Sequence, residues 1–263
     1  MKKSRFSKVI NIILVILLCV GLVFAGSYGY QHFKVRHEAK QAQVLQKQVV
    51  KKKAAQEKQN MPAEGNITIN WQKLHKINPD IKAWIYIPHT HINFSILQYK
   101  DNEYYLHHNQ DKKYAVSGEI FMDYRNKANF LNKNTFIYGH YMYNKMKFAD
   151  LNHYFDSNYF NEHKHIYIYT PKKRYVGTAF AVQSNSGTSK AHTMHYKNQE
   201  EFTDYVNYLK SRSDVKTKLK TKDIKHMVTL WTCSEDATID DAGNNVSKDK
   251  ARTFVSVSLK EAK

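Results

Sequence analysis

The chain has 263 residues, 42% of them apolar and 13% aromatic, with a formal net charge of +18 and only two cysteines. That length suits one ordinary domain with accessory segments, and two cysteines exclude a small disulfide-stapled scaffold. The basic excess is spread as +4 over the first eight residues, +6 over residues 31–60 and +8 over the rest; no nucleic-acid-binding motif accompanies it, so anionic lipid or an anionic cell wall is the fitting neighbour.

Lys2, Lys3, Arg5 and Lys8 precede an uncharged run from Val9 to Tyr30, "VINIILVILLCVGLVFAGSYGY". About 20 apolar residues suffice to cross a bilayer as a helix, and the basic flank should stay cytoplasmic. Residues 1–8 then read as a cytoplasmic tip, 9–30 as a transmembrane signal anchor, and everything after as extracellular. The competing reading is a cleaved signal peptide, but the run exceeds the roughly 7–15-residue core of such signals. Residues 31–65 are rich in Lys, Gln and Ala and lack Gly and Pro until Pro62. They read as a helical or flexible, solvated stalk whose pattern breaks from Met61–Pro62 through Gly65, marking a boundary.

From residue 66 the texture becomes that of a folded domain running to 263. "ITINWQKLHKIN" predicts a short helix, and "AWIYIPHTHINFSILQ" predicts strands broken at Pro88. "NEYYLHHN" reads as a turn or short helix. "SGEIFMDYRN" and "NTFIYGHYM" read as short strands, "KFADLNHYFDSNYFNEH" as helical, and "HIYIYT" and "KRYVGTAFAVQSN" as neighbouring strands. Phe202, Tyr205, Val206 and Leu209 form a helical stripe, followed by the strands "HMVTLWTC" and "RTFVSVSLK". Many short strands without a βαβ rhythm predict a mostly β, barrel-type fold with helices added.

Cys19 lies in the apolar span, so Cys233 has no partner within the chain. An unpaired thiol in an oxidising compartment points to reactivity. A nucleophilic cysteine needs a nearby base or cation. Of the 12 histidines after the stalk, His140 stands out because it ends a strand and follows the flexible Gly139. Acyl transfer also needs a fixed charge for the developing oxyanion. Arg252 opens the strand that follows the Cys233 loop, where antiparallel pairing would set it beside the thiol. A solubility charge at a strand edge remains the other reading of Arg252.

"TLWTC" resembles the TLxTC signature of the sortases. "YGH" before "KFADL" and the "R-x-F-V" strand match the places where sortases carry their other two active-site residues. "NPDIKAWIYIPHTHINFSILQYKDNEYYLHHN" and "SGEIFMDYRN" resemble the N-terminal part of class B sortases, and the likeness covers roughly residues 67 to 260. The resemblance implies a closed β-barrel of about eight strands with an N-terminal helical extension. It also implies a membrane-anchored cysteine transpeptidase of a Gram-positive cell. Cys233, His140 and Arg252 would be its catalytic residues, and no cofactor would be required. Its partners would be secreted proteins bearing a C-terminal sorting signal, NPQTN-like or LPxTG-like, and an amine of lipid II or of the peptidoglycan cross-bridge. Asn102 and Leu106 match positions lining the substrate groove, and Trp231, Thr232 and Glu235 complete the expected substrate-binding set.

Two features depart from the pattern. Trp231 stands where class B relatives usually have a small residue. Strand alternation puts it on the same face as Cys233, where it either lines the groove or packs the barrel. The loop from Ser234 to Ala251 is long and acidic and reads as solvated and flexible. Its spacing does not fit an EF-hand, and no metal site is expected. The pairs His89/His91, His163/His165 and His192/His195 lack convincing co-ligands and read as surface histidines. A pilin-polymerising enzyme using a lysine acceptor, and a wall-binding module with an inert thiol, are the alternatives in function.

Overall fold

The computed structural model describes residues 2–52, 63–142 and 146–262; of the expected boundary over residues 61–65, Met61 and Pro62 lie outside the described residues and Ala63–Gly65 forms a 3-10 turn. The chain divides into two compact units, Met1–Gln41 and Ala42–Lys263. The first unit is helical, the opening part of α1 (Lys2–Val49). Its apolar stretch has a mean hydropathy of 2.9, and the Val and Leu side chains of that stretch, from Val9 to Val23, are exposed. It is long and apolar enough to cross a membrane.

The second unit begins inside what reads in sequence as stalk. The last turns of α1 bury Leu45 and Val49 against Ile67, Ile69 and Leu74. β1 (Val50–Lys52) then pairs antiparallel with β2 (Ile67–Ile69), Val50 opposite Ile69. Residues 42–52 are therefore part of the folded domain and not a solvated spacer. The thin apolar stripe of the stalk gives no hint of this, because its partners lie some 20 residues onward.

α2 (Trp71–Ile77) is capped by Asn70, whose side chain accepts from the Lys73 amide at 2.9 Å. The strands β3 (Ile81–Tyr86), β4 (Asn93–Leu97), β5 (Phe121–Met122) and β6 (Asn134–Tyr138) follow. The predicted helix over "KFADLNHYFDSNYFNEH" is split. Ala149–Phe155 is a 3-10 segment, and α3 (Ser157–Glu162) restarts at Asp156, which caps it through the Tyr159 amide at 2.8 Å. Then come β7 (His165–Tyr169), β8 (Arg174–Ser186), α4 (Gln199–Ser211), β9 (His226–Cys233), β10 (Thr238–Ile239), β11 (Asn245–Val246) and β12 (Ala251–Glu261).

Eight of these strands close into a barrel in the order β12-β8-β7-β3-β4-β5-β6-β9, which is the architecture the resemblance implies. Closure leaves no free edge in the barrel. The helical stripe of α4, Phe202, Tyr205, Val206 and Leu209, packs on Phe180, Ala181 and Met227 of β8 and β9. This packing explains why β9 is buried on both sides from Met227 to Leu230, with Thr229, the one polar residue of that stretch, donating to Asn134 Oδ1 at 2.9 Å. The pairing β6-β9 is parallel, and it decides where the chemistry sits.

Candidate active site

β9 ends at Cys233, and its neighbour β12 begins at Ala251. In their antiparallel register Arg252 stands directly opposite Cys233. The Arg252 guanidinium is held from behind, Nη1 donating to the carbonyls of Asp249 and Ala251, each at 2.8 Å. The Cys233 carbonyl accepts from Asn152 Nδ2 at 3.1 Å, and the Ser234 amide donates to Ala251 O at 3.1 Å. The backbone on both sides of the thiol is thus fixed.

On the other side of β9 the parallel register sets Tyr138 level with Trp231, and the Gly139 amide donates to Trp231 O at 3.0 Å. Extending that register brings His140 level with Cys233. Parallel neighbours lie about 4.8 Å apart, so two residues at the same level share one end of the barrel. Glycine at 139 has a steric reason: a Cβ there would meet the Phe148 ring at 2.7 Å.

The imidazole of His140 donates from Nε2 to Leu106 O at 2.9 Å. A carbonyl only accepts, so the proton sits on Nε2 and the lone pair on Nδ1. Burial pushes the His140 pKa below its ordinary value; Lys147 and His107 push the same way, against the Leu106 carbonyl. The ring is therefore neutral at pH 7 and able to accept a proton. Cys233, His140 and Arg252 line a single cleft of about 420 Å³. An isolated thiol, a neutral imidazole in one tautomer and a permanent cation in one cleft make a set suited to acyl transfer.

A family model for the sortase domain matches residues 85–247. Over 169 residues the chain is 36% identical to Sortase B of Listeria monocytogenes, covering 64% of this chain and 69% of that protein. Among solved structures, a Staphylococcus aureus sortase B–substrate complex matches with a TM-score of 0.63 at 26% identity, covering 73% of this chain and 84% of that one. A Bacillus anthracis protein described as similar to sortase B matches with a TM-score of 0.67 at 27% identity, covering 88% and 98%. The chain belongs to the class B sortases. It is a cysteine transpeptidase.

In this sortase Asn102, Leu106, Trp231 and Thr232 all border the same cleft. Thr232 is buried between its half-exposed neighbours, as alternation requires. Glu235, expected at the substrate, is not among the residues lining the cleft. Its carboxylate instead accepts from Tyr141 Oη at 2.5 Å. It thereby ties the loop after Cys233 to the loop after His140, a contact across 94 residues that no local pattern announces.

His192 corrects the reading of the histidine pairs as surface residues. It lines the cleft, meets the Trp231 ring edge-on at 4.4 Å, and lies 2.9 Å through Nε2 from Tyr138 Oη. Burial pushes its pKa down, with Arg125 adding to the effect. His91 is likewise engaged, with Nδ1 3.0 Å from the buried Asp150 carboxylate. Tyr138 Oη donates to Asp123 Oδ2 at 2.7 Å, and the same fully buried carboxylate accepts from Asn102 Nδ2 at 2.9 Å. A carboxylate behind the cleft wall was visible in sequence only as an acid interrupting the apolar run "EIFMDYRN".

The loop after Cys233 is more ordered than its composition predicts. β10 pairs with β11, and Asp240 accepts from the amides of Ala242 and Asn244 across a turn completed by Gly243 at φ 85°. Asp241 accepts from Tyr208 Oη at 2.8 Å and Asn185 Nδ2 at 3.0 Å, and lies 3.4 Å from Arg212. These acids serve turns and cross-links within the fold.

Proposed function

We propose that this sortase cleaves a C-terminal sorting signal of secreted proteins after threonine and transfers the threonyl group to an amine of the peptidoglycan precursor. The observation that carries this reading is the convergence of Cys233, His140 and Arg252 on one cleft, on a class B barrel. The thiol gives its proton to His140, and the thiolate attacks the threonyl carbonyl while Arg252 faces the oxyanion. Collapse breaks the peptide bond, His140 returns its proton to the leaving amine, and a thioester remains on Cys233. An incoming amine attacks the thioester and yields its proton to His140, which restores the thiol. A thioester retains the energy of the cleaved bond for the second transfer. The substrate is an NPQTN-like or LPxTG-like signal, and the acceptor an amine of lipid II or of the cross-bridge.

The N-terminal apolar helix, with its basic tip, supports a single-pass anchor in membrane lipid with the N-terminus cytoplasmic and the barrel facing the wall. The test is to give the detergent-solubilised full chain a panel of quenched sorting peptides, with and without diamino acceptors. Cleavage plus an amine-linked product is expected, and none of either from Cys233→Ala; absence of both from the intact chain overturns the reading.

Trp231 sets which peptide is taken. Its ring stacks on Phe254 at 5.3 Å, contacts Tyr138 and His192 edge-on, and borders the cleft on the Cys233 face. Trp231→Ser would open space beside the thiol. The expected result is a change of roughly 10-fold or more in relative kcat/KM between peptides that differ in side-chain bulk. An unchanged ranking across the panel would restrict Trp231 to packing.

A further inference from the structure

His140 opens a loop whose two ends meet again. Tyr141 and Lys147 form an antiparallel bridge, and the Phe148 amide donates to His140 O at 3.1 Å. Lys147 takes the left-handed conformation, φ 59°, and buries its side chain. A residue with a Cβ occupies that region at a cost and stays there only when its surroundings hold it. What holds Lys147 is Glu119: Nζ lies 2.5 Å from Oε2 and 5.4 Å from the centre of the Phe94 ring.

Glu119 is buried as well. Its Oε1 accepts from the Gln110 amide at 3.2 Å, and its own amide donates to Tyr105 O at 2.8 Å. It belongs to the same segment that offers the Leu106 carbonyl to His140 Nε2. Two ties therefore join the His140 loop to that segment, one through the imidazole and one through a buried ion pair. A buried pair is a costly way to fasten two loops, and its best-attested use is to fix register. An apolar contact could slide here, whereas an ammonium seated on a carboxylate cannot.

We propose that Lys147 and Glu119 are positioning residues for His140: their ion pair holds the imidazole against the Leu106 carbonyl and sets the charge behind it. This rests on the reading of His140 as the proton carrier. Lys147 from its own loop and His107 from the facing segment act on that ring, and the titratable and charged groups that share its cleft are Glu103, Tyr138, His192, Cys233 and Arg252. Removing the Lys147 cation removes a repulsion that disfavours imidazolium. Removing the Glu119 charge leaves that cation uncompensated.

The experiment follows the His140 imidazole by NMR against pH in the full chain, alongside kcat for peptide cleavage. Lys147→Met is expected to raise the His140 midpoint, Glu119→Gln to lower it, and the double variant to bring it back near the parent. Kcat should fall about 10-fold or more in all three, because the ring is no longer held in place. Glu119→Asp keeps the charge and shortens the reach, so it should lower kcat without moving the midpoint, and Lys147→Arg should restore most of the rate. Folded Lys147→Met with parental midpoint and kcat overturns the proposal. If that variant fails to fold, Glu119→Asp with parental kcat does so instead. Failure of the parent to cleave any peptide would sink the functional reading, while the NMR midpoints would still decide the charge coupling.

Discussion

Arg252→Lys is expected to lower kcat for peptide cleavage by roughly 100-fold while leaving the positive charge in place. Nη1 of Arg252 is committed to the carbonyls of Asp249 and Ala251. Those two bonds fix the plane of the guanidinium, so Nη2 and Nε remain to donate toward the cleft from a set direction. An ammonium has one nitrogen. It can satisfy the backbone carbonyls or reach the substrate oxygen, and it does neither from a fixed plane. Stabilisation of a developing oxyanion depends on donors that need no rearrangement when the charge appears, and loss of one such donor typically costs about 2.7–4 kcal/mol of barrier, the lower end being a roughly 100-fold loss in rate. KM should change less than kcat, because the oxyanion forms only on the way to the thioester. Stopped-flow cleavage with mass detection of the acyl-enzyme would check this. Arg252→Lys with parental kcat would return Arg252 to the status of an edge charge.

The pairing that sets Arg252 opposite Cys233 follows from sequence because both strands, "HMVTLWTC" and "RTFVSVSLK", show their pattern locally and a single loop joins them. The position of His140 is also legible, since a strand ending in Gly-His displays its last residue wherever that strand pairs. What escapes local reading is set by contacts distant in sequence. His192 reaches the cleft only because β8 is long enough to carry the following loop back over Trp231. Glu235 turns to Tyr141, and the end of the stalk becomes β1 because β2 supplies its partner. The acidic loop looked solvated because acidic and small polar residues dominate it, yet Asp240 and Gly243 build the turn of a hairpin whose outer acid is anchored by Tyr208 on α4. Composition reports the preference of a segment, and the surface it meets decides whether that preference prevails.

Asp123 gives the second large effect, expected in stability and in binding together. Its carboxylate is fully buried and accepts from Arg125 Nε at 2.8 Å and Nη2 at 2.7 Å, from the Arg125 amide at 2.9 Å, from Asn102 and from Tyr138. Burial alone would push its pKa up, but the hydrogen bonds from Arg125, Tyr138 and Asn102 outweigh that and hold it at about 2, against an ordinary 3.8. A folded-state value below the unfolded one means that the unfolded chain binds the proton more tightly. The stabilisation is then complete above about pH 4 and is lost as pH falls through 2, and the gap corresponds to about 2–3 kcal/mol. Asp123→Asn should therefore lower Tm near neutral pH by about 4–12 °C for a domain of this size, and should flatten the steepest part of the acid limb. Asn102 and Tyr138 both border the cleft and both donate to this one carboxylate. Freed from it, they should loosen the wall that meets the peptide and raise KM, while the thiol itself still reacts with a small alkylating reagent at the parental rate. Melting curves from pH 7 down to pH 2 separate the outcomes: an acid limb as steep as the parent's would mean that the buried carboxylate does not carry the linkage its hydrogen bonds imply.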